Sequence, residues 1–245
     1  MTRYIDCFSP ITPAEAAFLK TDGYAGACRY LAYYTAPQDG KGMSVQEAEA
    51  IHAAGLAIVP NYEGNPTTPG YFTVGQGKLD GSNAAIENRH LAIPAAVPTW
   101  FSVDCNLRTE AELAPLVPYF EAIAEEFPKD QIAAYGSALV LNFLRAHVPW
   151  LRGYWQTMAW SSGVVDKFAV LYQNQFEVRL RGLTVDVDEV MGDPHAWMPA
   201  PVAPVAPVHK WRLYLPNEFS NQQHALEVQK GIDKLGVRAE IQEVQ

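Results

Sequence analysis

Several common routes to a biochemical function are missing from this chain. Cysteine is scarce, with only Cys7, Cys28 and Cys105 in 245 residues. The odd number, the strand-like apolar surroundings and the absence of Cys-x-x-Cys argue against a disulfide framework, so these read as buried, reduced thiols. The six histidines are dispersed and form no His-Glu-x-x-His, so no metal site is expected. No glycine-rich GxGxxG or GxxxxGK[ST] turn follows the first strand-like segment, and no GxSxG elbow occurs. Nucleotide chemistry and serine hydrolysis are therefore disfavoured, and no cofactor is expected. No apolar run approaches the roughly 20 residues of a membrane span. Positive charge is in the minority, 18 Lys and Arg against 27 Asp and Glu, for a net charge of −9. Such a surface repels phosphate backbones and anionic lipid, so neither nucleic acid nor a membrane is an expected partner. A neutral glycan meets no such repulsion.

What is present is a core and an alternation. Apolar residues make up 49% of the chain, enough to bury a large interior. Strand-like and helix-like segments alternate from the first residues, the pattern of a parallel α/β fold. The strands are expected at 3–8, 27–33, 56–63, 99–106, 131–135, 153–160, 168–173 and 182–187. Helices are expected after Thr12, with Glu15 closing a capping box, after Ser44 with Glu47, over 70–93, over 109–127 with Thr109 and Glu112 as cap, and over 137–148. Eight strands favour closure into a parallel (β/α)₈ TIM-type barrel over 1–192 rather than an open sheet. Composition then changes. Pro194, Pro199, Pro201, Pro204 and Pro207 mark 193–210 as a semi-rigid proline-rich linker. Residues 211–245 read as strand–helix–strand, too small to be stable alone, and are expected to dock or self-associate.

In a barrel, reactive groups lie at the C-terminal ends of strands. Asp6, Glu63, Asp104, Asp186 and Asp188 all fall at such positions. Side chains alternate across a strand, so if Asp6 and Asp104 face the axis, Cys7 and Cys105 face the helices. Carboxylates gathered in a low-dielectric cleft have their pKa values pushed apart, which supplies the acid and the ionised partner that glycoside hydrolysis needs. Asp6, Asp104 and Glu63 are therefore the catalytic candidates. Aromatic faces stack on sugar rings, and Tyr62, Tyr135 and Trp160 are candidates for that role. Asn106, Gln173 and Asp186 are polar groups suited to holding hydroxyls. Arg29 is the main basic residue expected near the mouth and is grouped with the substrate-binding candidates.

The ordered series YIDCFSP, GYAGACRYLAYY, SVQEAEAIHAAGLAIVPNYE, WFSVDCN, IAAYGS and VDVDEV resembles the glycoside-hydrolase-like domain of unknown function found in actinobacterial secreted proteins and phage lysins. That domain is related to the family 25 glycoside hydrolases, the lysozymes of phage and bacteria. The resemblance spans residues 3–192 and implies a (β/α) barrel acting on the peptidoglycan glycan strand. In family 25 an aspartate on strand one is matched by Asp6. An Asp-x-Glu on strand four, whose glutamate is the general acid, is matched at Asp104, but Asn106 replaces the glutamate. An amide cannot donate that proton, so Asp104 or Glu63 takes over, or the barrel binds glycan without cleaving it. In the relatives the substrate's own N-acetyl group acts as nucleophile, so no protein nucleophile is required. The start MTRYIDCFSP lacks a basic segment followed by an apolar one. An endolysin-like protein, made in the cytoplasm without a signal peptide and reaching the wall after release, fits that reading. A glycan-binding or virion-decorating barrel is the alternative.

Overall fold

The structure, a computed structural model, describes residues 1–199. The later prolines of the expected linker and the expected strand–helix–strand at 211–245 lie outside the described residues. Eight strands close into a barrel in chain order. They are β1 (Arg3–Asp6), β2 (Tyr24–Tyr30), β3 (Ala57–Tyr62), β4 (Thr99–Ser102), β5 (Ile132–Gly136), β6 (Tyr154–Thr157), β7 (Leu171–Leu180) and β8 (Leu183–Val190). Outside them lie α1 (Pro13–Thr21), α2 (Val45–Ala53), α3 (Val74–Leu91), α4 (Glu110–Leu113), α5 (Leu116–Glu126) and α6 (Ala138–His147).

The helix starts follow local chemistry. Thr12 with Glu15, and Thr109 with Glu112, each form a reciprocal capping box. Ser44 accepts the Glu47 N–H, but the Glu47 carboxylate does not return the bond. It turns inward to Arg29 instead. The single helix expected over 109–127 is two, because Pro115 has no N–H to carry the ladder through the break.

The expectation of an all-parallel ring is corrected at its last strand. β1 to β7 run parallel, but β8 is antiparallel to both β7 and β1. Leu180 pairs with Leu183 across the two residues Arg181 and Gly182, whose φ values are +43° and +99°. Two positive φ values in a two-residue loop suit a type I′ hairpin, whose twist matches the strands it joins. A parallel return would need a crossover of a dozen residues or more.

Alternation along the strands divides the buried residues into two layers. Between sheet and helices pack Ile5, Leu19, Ile51, Ile58, Phe101 and Ile123, with Cys7 and Cys105 among them. Each such aliphatic or aromatic side chain stabilises the fold by about 1.5–3 kcal/mol on burial. Inside the barrel pack Tyr4, Cys28, Val59, Trp100, Trp155 and Leu171, which fill its lower part.

Residues 193–199, assigned by composition to the linker, belong to the barrel body, whose compact unit runs from Met1 to Pro199. β3 pairs with β4 only through Asn61 and Tyr62, which leaves the edge of Ile58 open on that side. Trp197 covers it. The Ile58 N–H donates to the Trp197 carbonyl (2.9 Å), and the Trp197 N–H donates to the Ile58 carbonyl (2.7 Å). Both backbone groups are thereby satisfied. The Trp197 ring meets His52 edge to face at 4.5 Å.

Candidate active site

At the C-terminal ends of the parallel strands lies a cavity of about 240 Å³, bordered by the β7–β8 hairpin. Of the residues singled out from sequence, Asp6, Glu63, Asp104, Tyr135, Trp160, Gln173 and Asp186 line it. The alternation that carries them there also turns Cys7 and Cys105 outward into the helix layer.

Arg29, Tyr62 and Asn106 do not line the cavity. Tyr62 is one residue out of phase with Asn61 and Glu63, so its ring packs outward on Phe101, and its hydroxyl accepts from the Asn83 amide (3.1 Å). Arg29 is likewise out of phase with Tyr30. It is fully buried behind the sheet, with Nε donating to Glu47 Oε1 (2.6 Å), Nη1 donating to the Cys7 carbonyl and Nη2 to the Lys41 carbonyl (3.1 Å). Asn106 lies beyond the end of β4 on the surface, its Oδ1 accepting from Arg108 Nε (3.0 Å).

The site has two halves. In the first, on β1, β7 and β8, Asp6 and Asp186 stand directly opposite in register. One amide joins them, because Gln173 Nε2 donates to Asp6 Oδ2 (3.1 Å) and to Asp186 Oδ2 (3.2 Å). Gln173 is held in turn by the Tyr135 hydroxyl, which donates to its Oε1 (2.8 Å). The Tyr30 hydroxyl reaches Asp6 Oδ2 at 3.4 Å. Asp6 is 94% shielded from solvent, 6% exposed, yet its Oδ1 accepts no hydrogen bond from the described residues.

The second half, beyond the ends of β3 and β4, carries Glu63 and Asp104. Lys41 Nζ pairs with Glu63 Oε1 (3.1 Å) and sits 4.9 Å from the centre of the Tyr30 ring. Lys41 comes from the loop between β2 and α2 and is fixed by its carbonyl bond to Arg29. Asn61 lines the cavity between the halves and accepts from the Ser102 hydroxyl (2.9 Å).

Electrostatics follow from burial and like charge. Burial pushes the Asp104 carboxyl up to about 6, with Glu63 raising it further and Lys41 opposing. Burial also drives Asp6 well above the usual carboxylate range, followed by Asp188, Glu63 and Asp186, against the pull of Arg29. Asp186 is raised too, chiefly by burial, with the hydrogen bond from the Glu177 N–H opposing. Because β8 runs downward, Asp188 lies below the mouth, not at it. It is fully buried, accepts from Trp155 Nε1 (2.7 Å), and burial raises it to about 8.

Four residues that shape the site were not singled out from sequence as parts of it: Tyr30, Lys41, Asn61 and Thr157. Asn61 and Tyr30 could have been found by alternation, since Asn61 is two residues before Glu63. Lys41 had no periodic signal, because a loop places it. None of the described histidines, cysteines and carboxylates are grouped so as to hold a metal ion, and no described helix is long and apolar enough to cross a membrane.

Comparison with known proteins agrees with this architecture. In the solved structures, the chain resembles the Tat-secreted protein Rv2525c of Mycobacterium tuberculosis, crystallised with HEPES, at a TM-score of 0.69 and 21% identity over 80% of this chain and 98% of that one. It also resembles the modular autolysin LytC of Streptococcus pneumoniae, in complex with a synthetic peptidoglycan ligand, at a TM-score of 0.51 and 9% identity over 76% of this chain and 46% of that one. These likenesses show the fold. In sequence it is 29% identical over 143 residues to the uncharacterized protein YbfG of Bacillus subtilis strain 168, a match that covers 54% of this chain and 20% of that relative. The Rv2525c-like, glycoside hydrolase-like domain family matches residues 17–197, and the chain belongs to it.

Proposed function

We propose that this barrel is a peptidoglycan-directed glycoside hydrolase, with Asp104 as the general acid. The observation that carries the reading is the convergence of Asp6, Glu63, Asp104 and Asp186 on one cavity at the strand ends. Asp104, raised to about 6, keeps a share of its protons near neutrality and can pass one to a leaving glycosidic oxygen. Glu63, ion-paired with Lys41, is the anionic member facing it. Asp6, oriented by Gln173 and Tyr30, holds the sugar from the opposite side. Trp160, partly exposed at the rim, offers its face to a second ring. The shared fold with LytC, which was crystallised with a peptidoglycan ligand, makes a cell-wall glycan the first substrate to try.

The test is incubation with purified peptidoglycan, followed by assay of new reducing ends and identification of products by mass. Release of muropeptides by the wild type, lost in Asp104→Asn, supports the proposal. One observation favours a second reading. Asn106 stands where the related lysozymes carry their acid, and it does not line the cavity. A barrel that binds glycan without cutting it would show affinity and no new reducing ends over long incubation.

A further inference from the structure

The two halves of the cavity differ in how their negative charge is balanced. Glu63 has Lys41 at 3.1 Å. Asp6 and Asp186 have no cation in the cavity among the described residues. Arg29, which reaches the carbonyl of the adjoining Cys7, is spent on Glu47 and on two backbone carbonyls behind the sheet. The one neutral donor between the two carboxylates, Gln173 Nε2, reaches Oδ2 of each. Asp6 Oδ1 is left as a buried acceptor with no donor, in a residue that borders the cavity. A buried carboxylate oxygen without a partner costs free energy unless a proton or a ligand's donor reaches it. The whole cavity, at about 240 Å³, is smaller than the roughly 300–1,000 Å³ of most small-molecule sites, which suits one ring with the rest of a chain outside.

We infer that the Asp6–Asp186 half is a subsite for a protonated primary amine on a sugar ring, so that the preferred glycan carries a free hexosamine and not an N-acetylated one at this position; that ring offers no acetamido nucleophile, so water attacks its anomeric carbon directly. This rests on the glycan reading above and deepens it. A ring ammonium carries three donors; the Asp186 carboxylate, which already accepts from Gln173 and from the Glu177 N–H, and Asp6 Oδ1, brought to the cavity by a turn of the carboxyl group, supply acceptors for them. An acetamido group would bring one N–H, a carbonyl oxygen aimed among carboxylates and a methyl group into a polar corner. The ammonium also relieves the repulsion between two facing carboxylates, which an uncharged substituent cannot do. If a proton occupies this corner in the free protein, the incoming cation displaces it, and binding releases protons.

Calorimetry with two probes of equal length tests this at about pH 6, where amines are protonated: the fully de-N-acetylated tetramer of β-1,4-linked glucosamine and the corresponding N-acetylated tetramer. The expected result is at least about tenfold tighter binding of the amine form. Proton release, seen by repeating the titration in two buffers of different ionisation enthalpy, should accompany the amine form only. Asp186→Asn should remove most of the preference, and Glu49→Gln, an exposed carboxylate on α2 away from the cavity, should leave it intact. Equal or tighter binding of the N-acetylated tetramer overturns the inference and leaves the glycan reading standing. Binding of neither probe overturns the inference, and the release of reducing ends from peptidoglycan then decides the glycan reading separately. An equal loss in Glu49→Gln and Asp186→Asn, or equally tight binding of spermine, also overturns it, by reducing the effect to attraction between a polycation and an acidic protein. The wild-type comparison of the two tetramers decides the matter even if a variant fails to fold.

Discussion

Neighbouring residues on the same strands lead different lives. Asp6 faces the cavity and Cys7 the helices, Tyr30 the cavity and Arg29 the helices, Asn61 the cavity and Tyr62 the helices. On the outer face apolar side chains pack together and the buried Arg29 is bound to Glu47. On the upper inner face Glu63 has Lys41 beside it, but Asp6, Asp104 and Asp186 crowd together against low-dielectric walls. One residue of register therefore separates parts that hold the barrel together from parts available for chemistry, and substitutions on the two faces should fail in different ways.

The largest effect is expected on the inner face. Asp104→Asn should cut the release of reducing ends by about 10²–10⁴-fold, the usual contribution of a positioned acid. It should leave thermal stability equal or higher, because a neutral amide ends the repulsion with Glu63. A variant that lost stability along with activity would blur the division between the faces. Next comes Arg29→Met on the outer face. It strands the Glu47 carboxylate in the interior and should cost about 3–5 kcal/mol of unfolding free energy in denaturant titration.

Asp188 offers an intermediate test, inside the barrel but below the cavity. A carboxyl raised in the folded state holds its proton longer folded than unfolded. Its stabilising contribution is therefore complete below the ordinary carboxylate range and is lost as pH climbs to about 8. The midpoint of thermal unfolding should fall between about pH 5 and pH 8 in the wild type, and fall less in Asp188→Asn. An unchanged slope in the variant would mean that Asp188 does not carry the effect. The smallest change is expected for Tyr62→Phe, which loses the bond from Asn83. It should cost about 0.5–1.5 kcal/mol and leave glycan affinity unchanged. A loss of affinity there would bring the outer face into the site.

Much of this division was legible in the sequence. The (Asp, Cys) pairs at 6–7 and 104–105 gave the inward phase of two strands, and Thr12, Ser44, Thr109 and Ser137 marked helix starts that the structure keeps. Other features were legible in principle but were misread. Too few residues separate Gln173 from Gly182 for a parallel crossover, so an antiparallel last strand was implied by length alone. The same alternation that placed Asp6 should have placed Arg29 and Tyr62 outside, since each is one residue from an inward position. The remainder was not there to be read. Lys41 sits in a loop with no period, and its place depends on a hydrogen bond from the buried Arg29 side chain of β2. The docking of Trp197 on Ile58 depends on an edge left open by the short β3–β4 pairing, which composition does not reveal.

Delivery of a proton by Asp104 inside the cavity is tested most directly by the pH dependence of reducing-end release from purified peptidoglycan. With an acid whose carboxyl titrates at about 6, the rate should fall as pH rises past that value, because the proton to be donated is gone. A rate that stays level from about pH 5 to pH 8 would contradict the assignment.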